Sequence, residues 1–358
     1  MIQYVVRRVL VSIPVFLGIL FITFALARLI PGDPCRAALG ERATDRVCDA
    51  FIERFGLNKP IPVQFAIYLR DVARGDLGDS LRQGRPVTQI LVERLPVTIE
   101  LALTAMLFAT TVGVPLGIIS ARRRNSAADV ATMIGANLGV STPVFVLGLL
   151  LEYLFAVLLK DTFLWLPPSG RLDSGVLVIS LAEAWHLESW TGLPAAVLEF
   201  FSRLYLLNGL LTGNSKLFLD TLRHLILPAI AVGTIPLAII ARMTRSSMLE
   251  VLHLDYIRAA RAKGVPMRGV LFRHGLRNAL LPVATVIGLS LGGLLSGAVL
   301  TETVFNLAGI GRTLFESITA RDYTVVQAFT LAVAVIYVMV NLVVDLVYVF
   351  LDPRIRLR

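Results

Sequence analysis

The sequence is short of charged residues, cysteine and histidine. Of its 358 residues, 16% are charged, two are cysteine and four are histidine. Because Cys35 and Cys48 are too few and wrongly spaced for a zinc or iron–sulfur site, we expect no metal centre. The chain is 56% hydrophobic with a mean hydropathy of +0.75, which is far more apolar than an ordinary soluble domain. The composition therefore indicates an integral membrane protein.

Catalytic motifs are also missing. The sequence contains no Gly-x-x-x-x-Gly-Lys-Ser/Thr phosphate loop, so we expect no use of ATP by that route and no cofactor bound by this chain. His186 and His224 lie outside or at the edge of the apolar segments, and His253 and His274 lie in a basic segment, so none forms an obvious nucleophile–base pair. We predict no catalytic residues.

Six apolar segments are long enough to cross a bilayer, since about 20 helical residues span ~30 Å of hydrocarbon. They are 9–30, 97–121, 131–159, 224–243, 279–301 and 324–350. Each is predicted to be a helix, because an open strand edge would leave its amides without partners in lipid. The predicted fold class is therefore an all-α integral membrane protein with six transmembrane helices.

Short basic segments fall on one side of these spans. They are Arg7–Arg8, Arg122–Arg124, the stretch from Arg242 to Arg277, and the terminal Arg354, Arg356 and Arg358. Short basic loops stay in the cytoplasm, so this side and both termini are predicted to be cytoplasmic. The formal net charge of +9 is then explained by orientation, and nucleic acid is not an expected partner.

The N-terminus imitates a secretory signal, with Arg7 and Arg8 before an apolar run and Ala25-Leu-Ala27 after it. The run from Val9 to Ala27 is longer than the roughly 7–15 residues of a signal core. We therefore predict that it is retained as the first span.

The expected organisation has three parts. Residues 1–30 form the N-terminus and first span, residues 31–96 an extracytoplasmic cap, and residues 97–358 a core with the remaining spans. The core carries an outward insert at 160–223 and a cytoplasmic loop at 244–278. A bridge between Cys35 and Cys48 in the cap would add ~3 kcal/mol, but pairing and two free thiols are both compatible with the sequence.

The cytoplasmic loop contains the most informative stretch of the chain. From Ser246 to Lys263 there is neither Gly nor Pro, which predicts a helix, and Gly264 then supplies a C-terminal stop. Alanines at 259, 260 and 262 leave little bulk, and Arg258 and Arg261 frame them with charge. This pattern suits a helix that enters a partner's groove, although a surface helix that only orients the topology would show it too.

The string Tyr256-Ile-Arg-Ala-Ala-Arg-Ala-Lys-Gly264 resembles the coupling loop of ABC importer permeases, in the form of the dipeptide and oligopeptide branch. Arg258 stands where the wider family has an acidic residue. Other stretches share this resemblance along almost the whole chain: Ile30-Pro-Gly-Asp-Pro34, Gly75-Asp-Leu-Gly78 with Ser80, Ser141-Thr-Pro143, Leu166-Pro-Pro-Ser-Gly-Arg171, His224-Leu-Ile-Leu-Pro228, Ala241-Arg-Met-Thr-Arg245, Arg321-Asp-Tyr323 and Asp352-Pro-Arg-Ile-Arg356.

The resemblance implies a six-helix permease of the type I importer fold, in a bacterial cytoplasmic membrane. It implies that the loop helix docks on an ATPase subunit through eight residues: Asp255, Tyr256, Arg258, Ala259, Ala260, Arg261, Lys263 and Gly264. The implied partners are a homologous second permease subunit, two cytoplasmic ATPase subunits that use ATP and magnesium, an extracytoplasmic substrate-binding protein, a peptide substrate and membrane lipid. Nickel chelates or glutathione are alternative substrates within the same family.

Five residues are candidates for the translocation pathway. Ser141 and Thr142 precede a proline that loosens the third span, where a kink without a transport role is the alternative. Glu152 either lines the path and meets a peptide amino group or lies solvated at the outer interface. Gly288 and Gly292 permit close helix packing, either within this chain or at a gate with the second subunit.

Two further expectations concern the last span and the class of protein. Asn341 and Asp345, four residues apart on one helix face, are expected to make a structural hydrogen bond to another helix rather than a proton relay. A stand-alone secondary transporter is the alternative from a different class, but the sequence shows no convincing inverted repeat.

Overall fold

The computed structural model describes residues 2–29, 35, 36, 40, 42–54 and 56–351. Within these residues the regular secondary structure is helical apart from one isolated bridge between Asp79 and Pro86, and loops connect the helices. The helices are α1 (Ile2–Leu29), α2 (Asp45–Arg54), α3 (Ile61–Ala73), α4 (Val87–Arg122), α5 (Ala127–Ser141), α6 (Val144–Glu152), α7 (Leu181–Ala184), α8 (Leu193–Ser202), α9 (Tyr205–Leu211), α10 (Ser215–Leu252), α11 (Asp255–Ala262), α12 (Arg277–Leu295), α13 (Val299–Val304), α14 (Ile310–Thr319) and α15 (Tyr323–Leu351). Two π-helical segments, Tyr153–Leu158 and Gly269–Leu276, continue α6 and precede α12.

Five helical stretches are long and apolar enough to cross a membrane: Gln3–Leu26, Val87–Arg122, Ser215–Leu252, Gly269–Leu295 and Tyr323–Leu346. A sixth is present if Ala127–Ser141 and Val144–Leu158 count together. The predicted all-α membrane fold is confirmed on this basis.

The third predicted span, 131–159, is not one straight helix. Its two halves are bent by 100°, where the sequence indicated no more than a loosened helix. Thr142 is extended (φ −83°, ψ 123°), the conformation that the following Pro143 favours. The Thr142 hydroxyl donates to the Leu138 carbonyl at 2.9 Å and satisfies the end of α5. The break is therefore encoded locally, but its size depends on how both halves pack.

Other helix boundaries also differ from the predicted ones. The helix α4 begins ten residues before the apolar segment predicted at 97–121, and α10 extends beyond both ends of 224–243. Helix ends that carry polar residues continue a helix without adding hydropathy, so apolar counting shortens them. The helix α12 stops at Leu295 rather than at 301, because Gly297 takes a left-handed conformation with φ +107°.

The core is built where α4 and α10 lie side by side. A Cβ atom on Gly117 would lie 2.5 Å from the Thr244 Cβ atom, so this crossing requires glycine. Further toward the other end of the pair, Val97, Leu101 and Leu227 pack with Phe305 in a buried cluster. These two helices form the central pair around which the remaining elements are placed.

The part of the cap that the structure describes is attached at several points. Cys35 and Cys48 form a disulfide with Cα atoms 5.3 Å apart, which decides between the two alternatives left open by the sequence. Phe65 of α3 packs against Phe24 of α1 with ring centroids 5.2 Å apart. Ser80 donates to the buried carboxylate of Asp322 at 2.5 Å, which joins the base of the cap to the start of α15.

The first and last spans are joined by a polar contact. Tyr4 donates to Asp345 Oδ2 at 2.9 Å, and Arg8 forms an ion pair with the same carboxylate at 2.5 Å. Asp345 therefore makes the structural contact to another helix that its position predicted.

Candidate functional site

The basic helix α11 is separate from α10. One continuous helix from Ser246 to Lys263 was predicted, and this is wrong: α10 ends at Leu252 and α11 begins at Asp255. Leu254 between them is extended (φ −70°, ψ 150°), which redirects the chain. Asp255 lies in the first turn of α11, where a carboxylate interacts favourably with the helix dipole.

The predicted stop at Gly264 is present, with a specific geometry. The amide of Val265 donates to the Ala260 carbonyl at 3.2 Å, and the amide of Gly264 donates to the Arg261 carbonyl at 3.0 Å. These two bonds form a Schellman motif, which needs a left-handed residue after the helix. Gly264 has φ +77°, and a Cβ atom there would meet nothing within 4 Å, so the requirement concerns backbone conformation rather than space.

The helix α11 has an inner and an outer face. Ile257 is completely buried and Ala260 is 9% exposed, so both pack against the chain itself. The remaining predicted coupling residues are exposed: Asp255, Tyr256, Arg258, Ala259, Arg261, Lys263 and Gly264. The low-bulk contact surface predicted at Ala259, Ala260 and Gly264 therefore needs a correction, because the side chain of Ala260 faces inward.

The outer face is basic. Arg258 Nη1 lies 3.3 Å from Asp255 Oδ1, but the two side chains are 71% and 96% exposed, so the pair contributes little stability. The cations Arg258, Arg261 and Lys263 against the single anion Asp255 leave a net charge of +2 on this face. Such a surface is suited to an acidic or dipolar partner.

A tether links α11 to the start of α12. Asn278 Nδ2 donates to the Tyr256 hydroxyl oxygen at 2.6 Å, and the Tyr256 hydroxyl donates to the His274 carbonyl at 3.4 Å. Tyr256 was predicted to contact a partner, whereas here it binds the following segment of its own chain. Asn278 was given no role from the sequence, because the contact forms only when α11 folds back on the π-helical segment.

A buried ion pair lies behind the basic helix. Arg245 of α10 donates from Nε and Nη2 to the two carboxylate oxygens of Asp129 at 2.7 and 2.8 Å. The Ser120 hydroxyl and the Asn125 amide donate to the same carboxylate. The pair holds the ends of α4, α5 and α10 together, seven residues before α10 stops. Asp129 was not predicted as a site residue, since nothing near it in the sequence indicates a partner 116 residues away.

The predicted pathway residues do not form one cluster. Ser141 is exposed and Thr142 is half-buried at the bend between α5 and α6. Glu152 is half-buried at the end of α6, and its Oε1 atom is buried without a hydrogen-bond partner among the described residues. The alternative of a fully solvated Glu152 therefore does not describe this oxygen.

Gly288 and Gly292 pack within this chain. A Cβ atom on Gly288 would lie 2.2 Å from Val344 Cγ2, and one on Gly292 would lie 3.0 Å from Tyr337 Cε2, both on α15. These contacts support the packing alternative for both glycines, while the gate with a second subunit stays a prediction.

At the far end of the helices, Glu302 joins α13 to α4 and α14. It is completely buried and accepts hydrogen bonds from the Thr98 hydroxyl at 2.7 Å and the Arg312 amide at 2.8 Å. Burial raises the pKa of the Glu302 carboxyl, and the hydrogen bonds from Arg312 and Thr98 partly oppose that rise.

The insert at 160–223 is attached to the same end. Arg171 Nη2 donates to Glu100 Oε2 at 2.6 Å and to the Arg203 carbonyl at 2.9 Å, while its guanidinium lies 3.8 Å from the centre of the Tyr205 ring. The Leu206 amide donates to the other Glu100 oxygen at 2.7 Å. Segment 173–205 is thus held at both ends.

Family models match nearly the whole chain. One described as "Binding-protein-dependent transport system inner membrane component" matches residues 113–357. Another, described as the N-terminal part of the membrane component of such systems, matches residues 1–102.

Curated relatives match from end to end. The chain is 46% identical to the dipeptide transport system permease protein DppB of Alkalihalophilus pseudofirmus, over 99% of this chain and 100% of the relative. It is 46% identical to the di/tripeptide transport system permease protein DppB of Pseudomonas aeruginosa, over 99% of both chains. It is 43% identical to the dipeptide transport system permease protein DppB of Escherichia coli, again over 99% of both. This chain therefore belongs to the family of inner membrane components of binding-protein-dependent transport systems, the permease subunits of ABC importers.

Proposed function

We propose that this chain is the permease subunit of an ATP-driven importer of dipeptides and short oligopeptides, and that it forms half of the translocation pathway. The relatives named for dipeptide and di/tripeptide transport support the substrate class, because they match this chain over nearly their full lengths. A homologous second permease subunit supplies the other half.

The observation that carries the proposal is the attachment of the basic helix. Its outer face is exposed and carries a net +2 charge, while Ile257 and Ala260 bind its inner face to the chain. The Tyr256–Asn278 hydrogen bond connects it to α12, a spanning helix. A force applied to the outer face is therefore transmitted to the membrane helices rather than lost in a flexible loop.

The partner that pushes is a cytoplasmic ATPase subunit, one for each permease subunit. No phosphate loop is present in the sequence, so energy from ATP and magnesium has to arrive through contact. Arg258, Ala259, Arg261 and Lys263 form the contact surface, Ala260 packs beneath it, and Gly264 sets where the helix ends. In this orientation both termini are cytoplasmic, and the insert at 160–223 faces the external binding protein.

Transport then follows alternating access. Closure of the two ATPase subunits moves the basic helices, rotates the permease halves and opens the path toward the docked binding protein, and hydrolysis returns it inward. Glu152 is our candidate for a polar contact in the path, because its buried oxygen needs a donor from a peptide, water or the second subunit.

The experiment is reconstitution of the chain with its partner subunits in lipid, followed by ATPase and uptake measurements over a panel of ligands. The panel contains dipeptides, tripeptides, longer peptides, glutathione and nickel chelates, each with the binding protein. Dipeptides are expected to stimulate ATPase activity most. Stimulation by glutathione or a nickel chelate, with none by peptides, would contradict the substrate class.

Gly264→Val tests the coupling geometry in the same assay. A β-branched residue at φ +77° costs about 1–2 kcal/mol, so the helix end should shift and uptake should fall while membrane insertion persists. Gly264→Asn is the matched control, since asparagine tolerates this conformation. Equal uptake by the Val, Asn and unmodified chains would contradict the role of the helix end.

A further inference from the structure

Three metal-ligating side chains meet where the outward insert contacts the N-terminal half of α10. They are Asp173 at the start of segment 173–205, and Asp220 and His224 four residues apart on α10. One ligand atom from each lies within 4.8 Å of the other two. His224 is only 3% exposed and Asp220 10%, whereas Asp173 is 48% exposed, so the cluster is closed toward the core and open toward solvent.

The hydrogen bonds of His224 determine which ring nitrogen is available. Nδ1 lies 3.0 Å from the Asp220 backbone carbonyl, and a carbonyl oxygen can only accept, so Nδ1 carries the hydrogen. In the neutral ring, Nε2 then presents a lone pair. Metal-binding histidines are commonly oriented in this way, with the other nitrogen donating to a carbonyl.

The Nε2 atom of this buried ring is directed at an acceptor. Its neighbour is Asp173 Oδ1 at 3.6 Å, too far for a hydrogen bond, and no hydrogen bond joins Nε2 to any residue in the described ranges. A lone pair and a carboxylate oxygen that face each other repel unless a cation lies between them. The arrangement therefore calls for a proton or a metal ion at this point.

The carboxylates are placed to complete a metal site. Asp220 Oδ2 accepts a hydrogen bond from the Asp173 backbone amide at 2.8 Å, which holds Asp173 against α10 on the Nε2 side of His224. Ligand atoms around zinc are separated by about 3.3 Å when the bonds are ~2.0 Å long, so the 3.6 Å gap between Nε2 and Oδ1 needs little closure.

We propose that Asp173, Asp220 and His224 form a binding site for a divalent first-row transition metal, with Zn²⁺ as the best match. One imidazole and two carboxylates are ligands that zinc accepts, and the solvent-exposed side at Asp173 leaves room for water. The ion clips the start of the outward insert to α10. The site is far from the basic helix: His224 and Leu252 are about 42 Å apart along a helix with a rise of 1.5 Å per residue.

The proposed site departs from the expectation of no metal centre, which considered cysteine alone. The spacing of Asp220 and His224 on one helix face was visible in the sequence. Asp173 lies 47 residues before Asp220, and only the fold brings it to them. The inference does not depend on the substrate or on the ATPase partners.

The test uses the full-length chain in lipid nanodiscs, stripped with a chelator and titrated with Zn²⁺. We expect about one zinc per chain by elemental mass spectrometry and a higher thermal unfolding temperature. Zinc should also slow protease cleavage in the outward insert. Mg²⁺ should produce neither effect, because it binds imidazole poorly.

Variants localise the ion. His224→Gln and Asp173→Asn should each weaken zinc binding by roughly 100-fold or more, since loss of an outer-shell partner already costs 10–100-fold. Asp173→Asn changes a half-exposed side chain, so it keeps the test valid if His224→Gln misfolds. His186→Gln, in the same insert but outside the cluster, should bind zinc normally.

Three results would overturn the proposal. The first is the absence of zinc binding or stabilisation in the unmodified chain, and the second is zinc binding of equal strength in Asp173→Asn. The third is stabilisation on acidification that needs both His224 and Asp173 but is unaffected by zinc, which would assign the contact to an imidazolium–carboxylate pair.

Discussion

The two ends of the helix bundle use charge differently. At the end opposite the basic helix, the carboxylates of Glu100, Glu302 and Asp322 are 4%, 0% and 2% exposed, and each accepts hydrogen bonds from another element. At the basic end, Asp129 is buried in the same way, but the charges of α11 lie on its outer face. Charge is used for internal connections at one end and is largely left for a partner at the other.

This difference has a mechanical meaning. A helix that receives force from another protein needs an exposed surface and a stiff connection behind it. The Asp129–Arg245 pair and the buried cluster of Met248, Val251 and Leu271 provide that connection. At the opposite end, several polar contacts connect different elements. We therefore expect these elements to move together rather than to separate.

The largest expected loss of stability comes from breaking a contact at the end opposite the basic helix. Arg171→Met leaves the buried Glu100 carboxylate without its cation, and loss of one partner of a buried pair costs about 3–5 kcal/mol. Thermal unfolding of the chain in detergent measures the loss. Arg70→Met, in an ion pair whose arginine is 59% exposed, is the control and should cost under ~1 kcal/mol. Equal losses in both variants would contradict the contrast between buried and surface charge.

A smaller loss of stability is expected when the Asp129–Arg245 ion pair behind the basic helix is weakened. Arg245→Lys keeps the charge but cannot reproduce the two-bond contact with Asp129, which should cost about 1.5–3 kcal/mol. Because three helix ends meet there, ATP hydrolysis should continue in the reconstituted complex while uptake per ATP falls. Arg242→Lys, whose guanidinium makes one 3.3 Å bond to Asn137, is the matched control. A parallel fall of ATPase activity and uptake would indicate lost folding rather than lost coupling.

Tryptophan substitutions distinguish the roles of the inner and outer faces of α11. Ala260→Trp overpacks the inner face and should lower stability by about 1–3 kcal/mol. Ala259→Trp, on the outer face, should leave the unfolding temperature unchanged but weaken ATPase binding and uptake. Ala127→Trp, an exposed alanine on α5, is the control for bulk alone. If Ala259→Trp destabilised the chain as much as Ala260→Trp, the assignment of faces would be wrong.

The smallest expected effect depends on pH. Burial raises the pKa of Glu302, so the folded chain holds this proton more tightly than the unfolded chain, and the stability due to this group falls as pH rises above about 4. Glu302→Gln removes this titration and should flatten that part of the stability profile by under ~1 kcal/mol. Unfolding temperatures of the two chains between pH 4 and pH 8 measure it. A Gln variant that loses stability over this range as steeply as the unmodified chain would contradict the assignment to Glu302.

Much of the fold followed from local sequence. The apolar segments located the spans, Pro143 located the break in the third span, and Gly264 located the end of the basic helix. Each depends on a property of one residue or one short stretch: hydropathy, a missing amide hydrogen, or access to positive φ. The separation of α10 from α11 was missed, because His253 and Leu254 are compatible with a helix in isolation.

The candidate site was predicted less completely. Arg258, Ala259, Arg261 and Lys263 are exposed as a partner surface requires, but Ala260 faces inward. With residues 257 and 260 on one helical face, only the position of the neighbouring π-helical segment decides which face is covered. The contacts of Asp129, of Asn278 and of the cluster at His224 were not predicted for a related reason, since their partners are distant in sequence.

Composition and local pattern were thus sufficient for the membrane-spanning class, the positions of the spans and the presence of a basic helix, because hydropathy and backbone preference act over a few residues. The bend of 100°, the buried face of α11, the Cys35–Cys48 bridge and the pairing of Asp129 with Arg245 required the folded chain. These features arise from contacts between residues that are distant in sequence or from the packing of neighbouring helices, and their geometry is set only when the helices have packed.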